Sequence, residues 1–378
     1  MSKEIERLNF MSKIIELDNS FKKRKNYSPI NLSSWKNDIS FSNYILKNFQ
    51  YSPSNNPIDY FYYYHLNDIT NKKIRKKLSL KKDNDFIITS NNTTSIVCAI
   101  NFLKHLNLEK ICIVSPAYFS INNVLDNFSM KYDCISMLRS NSTFSLPCNL
   151  NNYEIVIITN PIFSTSVYFN ERDIKYIEFL LNKGVYILVD ESLCFYRDSL
   201  IKKFGKYKTF ITILSPHKAI SFNSFKFSIT IFDKEYSKFF LQWYDIYSGS
   251  ISMANKDSIS HFLTDNYDLV LSDFISLTNN AFLEVKNILK NFSFCEFDNE
   301  IYGEYVTIYI PSLNYALSKQ LTFIDDIMNK TDAYFYPGFL HGVREDIGFS
   351  FRINLANWDI NKKNALLRIM YYIQNSLQ

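Results

Sequence analysis

Lys218 stands where a solvated charge is out of place. The β-branched and aromatic run Phe210-Ile211-Thr212-Ile213-Leu214 stops at Ser215-Pro216, and His217 and Lys218 follow at once. After a polar turn through Ser221, Asn223 and Ser224, a second strand-like run begins at Phe225 and carries Lys226, eight residues beyond Lys218. Other residues with chemical potential sit in the same kind of place, just after an apolar run. Ser90-Asn91-Asn92-Thr93 follows Phe86–Thr89 and opens a helix, so free backbone N–H groups, a hydroxyl and a helix N-terminus together make an anion site. Tyr118 follows Ile111–Val114 and offers a face on which a flat ring could stack. Asn160-Pro161 follows Ile155–Thr159. Asp190 ends the run Val185–Val189, where a carboxylate is costly unless it meets a cation or a donor. Arg352, in Phe351-Arg352-Ile353-Asn354, carries a planar fork suited to a carboxylate in a way that lysine is not.

The elements that must position these groups follow from periodicity. Apolar residues at Ile96, Val97, Ile100, Leu103 and Leu106 give one face of a helix over 93–106. Helices are also expected over 120–128 and 172–182, between the short apolar strands named above. Strands alternating with amphipathic helices predict βαβ units and an α/β fold, a mostly parallel sheet covered by helices. Ligand sites in such sheets lie at the carboxyl ends of the strands, which is where the residues above fall. After about residue 270 the rhythm becomes α+β: a long helix to 289, strands over 305–310, 333–336 and 350–355, and helices over 313–329 and 362–374. The expected division is an N-terminal segment, 1–50, a large domain, 51–270, and a small α+β domain, 271–378. The segment 2–25 reads as a short amphipathic helix followed by a basic linker, and 30–34 as extended.

Composition sets bounds. With 47% hydrophobic and 21% charged residues, the 378-residue chain can bury a sizeable core. No apolar run approaches the ~18–20 residues that span a bilayer, and the first residues are too charged for a signal peptide. The net charge of +5 has no basic tail, and Lys72-Lys73-Ile74-Arg75-Lys76-Lys77 reads as a solvated helix face, so no nucleic-acid or membrane partner is expected. Six cysteines without CxxC pairing read as reduced core thiols of a cytoplasmic protein, and five dispersed histidines show no metal-ligand spacing. Only seven glycines are present, so Asn and Ser are expected at turns and left-handed positions.

The order Asn160, Asp190, Ser215, Lys218, Lys226, with thirty residues from Asn160 to Asp190 and twenty-eight from Asp190 to Lys218, resembles fold-type I pyridoxal-phosphate (PLP) enzymes of the aminotransferase class I/II family, in their histidinol-phosphate aminotransferase-like form. Ser215-x-x-Lys218 resembles the Schiff-base lysine segment. Asn160-Pro161-Ile162-Phe163-Ser164-Thr165-Ser166 resembles Asn-Pro-x-x-Pro-Thr-Gly. Pro337-Gly338 and the Arg352 segment resemble the small-domain motifs, and Ile30-Asn31-Leu32-Ser33-Ser34 the segment lining the substrate pocket. The resemblance covers roughly residues 28–375. It implies that Lys218 forms the Schiff base and moves a proton, and that Asp190 pairs with the pyridine nitrogen. It further implies that Asn160 donates to the ring O3′, that Tyr118 stacks on the ring, and that Asn91, Asn92, Thr93, Ser215 and Lys226 hold the phosphate. Arg352 and Ser34 would meet an amino acid substrate, and Tyr64 would reach the phosphate of the partner subunit in a homodimer.

Three kinds of departure from the family pattern are present. Lys226 replaces an arginine, Leu193 replaces the tyrosine that donates to O3′, and Asn91 and Ser224 replace glycines. The function implied is a PLP-dependent aminotransferase. The alternative is a lyase, decarboxylase or cyclase of the same fold in a specialised biosynthetic pathway, and a third reading is a non-catalytic scaffold.

Overall fold

Seven strands form the central sheet of the computed structural model, which describes residues 3–34, 39–49, 68–140, 143–248, 251–315, 317–343 and 347–377. In chain order they are β1 (Asn84–Thr89), β2 (Ile111–Ser115), β3 (Asp133–Ser136), β4 (Ile155–Thr159), β5 (Tyr186–Glu191), β6 (Phe210–Leu214) and β7 (Ser228–Asp233). Their spatial order is β1-β7-β6-β5-β4-β2-β3, and β7 alone runs against its neighbours. β4, β6 and β7 are buried at every residue, as expected of unbroken Ile- and Val-rich runs covered on both faces. Each fully buried Ile or Val in them contributes about 1.5–3 kcal/mol.

Helix Asn92–His105 starts where Asn91 accepts a hydrogen bond from Thr94 N at 3.0 Å, and it buries Ile96, Ala99, Ile100 and Leu103. Helix Glu171–Asn182 is capped in the same way by Asn170. Two elements have weak sequence signals. β3 lies at the sheet edge and is half exposed, and the hairpin Leu138–Ser140/Thr143–Ser145 is short and polar.

A second sheet contains Glu296–Phe297, Tyr305–Ile310, Phe349–Asn354 and Tyr336–Pro337, in that spatial order. The segment expected as one strand over 333–336 is divided. Ala333–Tyr334 pairs in parallel with Ile30–Asn31, while Tyr336–Pro337 pairs with Phe351 and Arg352. The N-terminal region also differs from expectation, because a single helix, Lys3–Lys25, runs through the basic stretch. Phe10, Ile14 and Phe21 bury one of its faces in a core shared with Phe282, Val285, Ile324 and Ile369, which holds the last turns helical despite their charge. A separate, larger core surrounds the seven-stranded sheet. Cys98, Cys112 and Cys194 are buried and Cys134 and Cys148 exposed, so the core reading of the thiols holds for only some of them. No described helix is long and apolar enough to cross a membrane.

Candidate active site

At the carboxyl edge of the sheet, Asn91, Asn92, Thr93, Tyr118, Ser215, Lys218 and Lys226 line one cavity of about 340 Å³. They come from four strand ends far apart in sequence. Lys218 lies in the short helix Pro216–Ala219 directly after β6, and its Nζ donates to Ser192 Oγ at 3.3 Å. The same Nζ lies 5.0 Å from the centroid of the Tyr118 ring. Burial lowers the Lys218 pKa below that of an ordinary lysine; the charges of Asp190 and Glu304 oppose this shift and that of Arg352 adds to it. The result is an amine more readily deprotonated at neutral pH.

Strand register explains the positions of the carboxylates. Thr159 pairs with Asp190, which pairs with Ile213 on the other side, so three strand ends lie level. Successive side chains of a strand point to opposite faces. Asp190 therefore faces Asn92, whose Nδ2 donates to Asp190 Oδ2 at 3.5 Å, and Asp190 Oδ1 accepts from Ser192 N at 3.0 Å. Glu191 faces the other way. It is fully buried and accepts from Asn160 Nδ2 (3.1 Å), Ser199 Oγ (2.5 Å), Leu200 N (2.9 Å) and Thr212 Oγ1 (2.8 Å). Burial raises its pKa, against those four donors.

The same register places Asn160. Asn160 follows the Thr159 that pairs with Asp190, so it falls level with Glu191 and on the Glu191 side. Its Nδ2 is turned to Glu191, its Oδ1 accepts from Phe169 N at 3.3 Å, and it lines a different cavity from Lys218. The ring of Phe163, three residues on, packs against Tyr118 at 5.8 Å between centroids, as does Phe119 at 4.7 Å.

Ser215 Oγ shares a hydrogen with Ser228 Oγ at 2.5 Å, and Lys226 is exposed at the cavity rim. Ser34 contributes its carbonyl oxygen, which accepts from Asn354 Nδ2 at 2.6 Å; the neighbouring Ser33 hydroxyl donates to Arg352 O at 2.5 Å. Arg352 is fully buried and does not line the Lys218 cavity. Its Nη1 donates to Ser164 Oγ at 3.0 Å, and its guanidinium lies 4.3 Å from the Tyr305 ring centroid. Tyr64 lies outside the described residues.

Four further groups at the site were not singled out in the sequence. Met11, from the N-terminal helix, and Asn223 line the cavity. Ser192 lies in the turn directly after β5, where its N–H donates to Asp190 and its hydroxyl accepts from Lys218. Glu304 precedes the buried strand Tyr305–Ile310, a costly position of the same kind as that of Asp190. Burial raises its pKa, against hydrogen bonds from Ser221 and Tyr305 and the charges of Arg352 and Lys218.

A predominantly parallel seven-stranded sheet with one reversed strand and a lysine at its carboxyl edge is the fold of PLP-dependent aminotransferases of fold type I. The chain is similar to an aminotransferase from Mycobacterium tuberculosis, with a TM-score of 0.78 and 12% identity over 97% of this chain and 96% of that one. It is similar to kynurenine aminotransferase from Pyrococcus horikoshii, with a TM-score of 0.73 and 14% identity over 96% and 95%. It is similar to histidinol-phosphate aminotransferase from Clostridium acetobutylicum, with a TM-score of 0.65 and 17% identity over 92% and 99%. No family model matches the sequence, and no curated protein matches it.

Proposed function

We infer that this protein is a PLP-dependent aminotransferase acting on an amino acid or related amine, with Lys218 as the Schiff-base residue. The observation that carries the reading is the position of the Lys218 amine, over the Tyr118 ring and in one cavity with the helix N-terminus at Asn91-Asn92-Thr93. The residues present fit the cofactor. The cavity falls in the range of about 300–1,000 Å³ usual for small-ligand sites. Asn92 Oδ1, at its edge, is a buried polar atom without a hydrogen-bond partner among the described residues. The kynurenine aminotransferase with the same fold was determined in complex with PMP.

When bound, PLP supplies an electron sink for a bond broken at the substrate α-carbon. The protein's part is positioning and proton transfer. Asn91, Asn92, Thr93, Ser215 and Lys226 hold the phosphate, with backbone N–H groups and a cation as its partners. Asp190 holds the proton on the pyridine nitrogen, and its burial strengthens that charge pair. Tyr118 covers one ring face. The Lys218 amine, its pKa lowered by burial, takes a proton at the substrate α-carbon and returns it elsewhere. Arg352 and Ser34 are the proposed contacts of the substrate carboxylate; Arg352 lies behind the cavity on Ser164 and would exchange that hydrogen bond for the carboxylate. Tyr64 completes the phosphate site from the partner subunit of a cytoplasmic homodimer. The division proposed is a PLP-binding domain over 51–270 and a small domain over 271–378 with residues 1–50; of that last segment Phe10, Ile14, Phe21 and Leu32 join the smaller core, whereas Phe41, Ile45 and Phe49 pack in the larger one.

The test is reduction of the PLP-loaded protein with borohydride followed by peptide mapping, and absorbance spectra with a panel of amino acids. Cofactor fixed to Lys218, and a spectral change with release of keto acid, are expected. Label on another residue, or none, would remove the assignment of Lys218. Label on Lys218 with loss of carbon dioxide or elimination, and no keto acid, would select the lyase reading.

A further inference from the structure

On the Asn160 side of the sheet edge lies a larger cavity, of about 760 Å³, that the chemistry above does not use. It is bounded by the polar hairpin at Phe144, by the loop after β5 and by the segment Asp298–Tyr302. Its lining has a consistent chemical character. Three carboxylates, Asp198, Asp298 and Glu300, lie among the rings of Phe144, Tyr168 and Tyr302, and no lysine, arginine or histidine lines it among the described residues. Tyr168 and Tyr302 pack against each other at 5.5 Å between centroids and form one wall.

Asp298 distinguishes this cavity from a merely acidic surface. It is 3% exposed, and neither carboxylate oxygen has a hydrogen-bond partner among the described residues. Arg139, whose charge acts on Asp298, binds Glu296 through Nη1 at 2.5 Å and lies 3.7 Å from the centroid of the Tyr309 ring, while its Nε and Nη2 have no hydrogen-bond partner among the described residues. A buried carboxylate without a partner is a costly arrangement that a bound cation relieves. Burial pushes the Asp298 carboxyl up to about 7; Arg139 opposes this shift and Glu296 adds to it.

We propose that this cavity binds an aliphatic di- or polyamine, with one ammonium at Asp298, another at the exposed Asp198 and Glu300, and the methylene chain against the aromatic walls. Rings and carboxylates together favour an organic cation, because ring faces attract ammonium groups and cover apolar chain. The absence of a basic lining residue disfavours amino acids, whose carboxylate would meet no cation. Binding draws the proton from Asp298, so affinity rises as pH rises through the neutral range.

The test is calorimetric titration of the full-length protein with spermidine and with putrescine, using sodium chloride at matched ionic strength as the control. Saturable binding is expected. It should persist in Lys218→Ala, which separates this cavity from the proposed catalytic one. It should weaken about tenfold or more in Asp298→Asn, and less in Glu300→Gln. Binding should be several-fold tighter at about pH 8 than at about pH 6, with proton release seen as a heat that depends on the buffer. Loss of binding in Lys218→Ala, equal affinity in Asp298→Asn, or no saturable heat would each overturn the proposal.

Discussion

Ser164, in left-handed backbone at φ 69°, accepts a hydrogen bond from the buried Arg352 at 3.0 Å. The residue therefore does one thing that a glycine would do and one that it could not. It makes the turn after β4, and its hydroxyl ties that turn to the strand Phe349–Asn354 of the other sheet. Ser166 (φ 57°) repeats the device, its Oγ accepting from Tyr305 N at 2.9 Å, and Ser221 (φ 59°) hydrogen bonds Glu304 just after Lys218. In a chain with seven glycines, serine fills these turns and its hydroxyls join the two sheets.

The two roles can be separated by substitution. Left-handed backbone costs an L-residue about 1–2 kcal/mol, whereas an unpaired buried N–H costs about 1–3 kcal/mol. Ser166→Gly removes the first cost and incurs the second at Tyr305 N, and glycine also loosens the unfolded chain. A net loss of about 1 kcal/mol is expected in urea unfolding. Ser129, also left-handed at φ 55° but exposed at a helix end, is the control. Ser129→Gly should stabilise by about 0.5 kcal/mol or more. Equal effects at both sites would mean that the Ser166 hydroxyl contributes nothing.

Glu191 accepts four hydrogen bonds in a fully buried site, and an amide cannot replace it. Glu191→Gln places an N–H₂ against donors, and a loss of at least about 2 kcal/mol is expected. Because Asp190 faces the opposite side of β5, PLP retention in the folded variant should change little. Loss of cofactor with unchanged stability would contradict that division of the two carboxylates.

His217, adjacent to Lys218, and His261 face each other with Nε2 and Nδ1 3.1 Å apart, among Phe49, Phe227 and Tyr267. Burial holds His261 down at about 4, with the Lys77 charge adding to the shift, and holds His217 well below the usual histidine range. The unfolded imidazoles titrate near about 6.5. Their folded values are lower, so stability is present above pH 6.5 and is lost as pH falls from there toward about 4. Each such proton contributes a slope of about 1.4 kcal/mol per pH unit. Comparing unfolding midpoints of the parent with those of His261→Phe across this window should show a flatter profile in the variant. Parallel profiles would show that His261 is protonated in the folded state.

Lys226 projects from the cavity rim, and Asn255 Nδ2 holds its carbonyl in place. Because the side chain is exposed, Lys226→Arg meets no packed wall and gains a two-pronged grip on a phosphate. PLP should be held as well as in the parent or better, while Lys226→Ala should weaken it at least about tenfold. Dialysis followed at the cofactor's visible absorbance measures both. Retention by Lys226→Ala equal to that of the parent removes Lys226 from the phosphate site.

The sheet was legible because its cause is local. Unbroken runs such as Ile155–Thr159 and Phe210–Leu214 bury both faces wherever they lie, and the residue after each run must fall at the sheet edge. Hence Lys218, Asn91-Asn92-Thr93, Tyr118 and Ser215 could be chosen for one cavity from sequence alone. The sequence did not contain the level of one strand against the next. Thr159 beside Asp190 is a matter of register, and it turns Asn160 toward Glu191 and leaves Phe163 against Tyr118. Long-range packing decided the rest. The charged end of helix Lys3–Lys25 is held by a core made with residues near 285, 324 and 369. Glu304 and Arg352 reach the Lys218 turn from a second sheet, which no local pattern encodes.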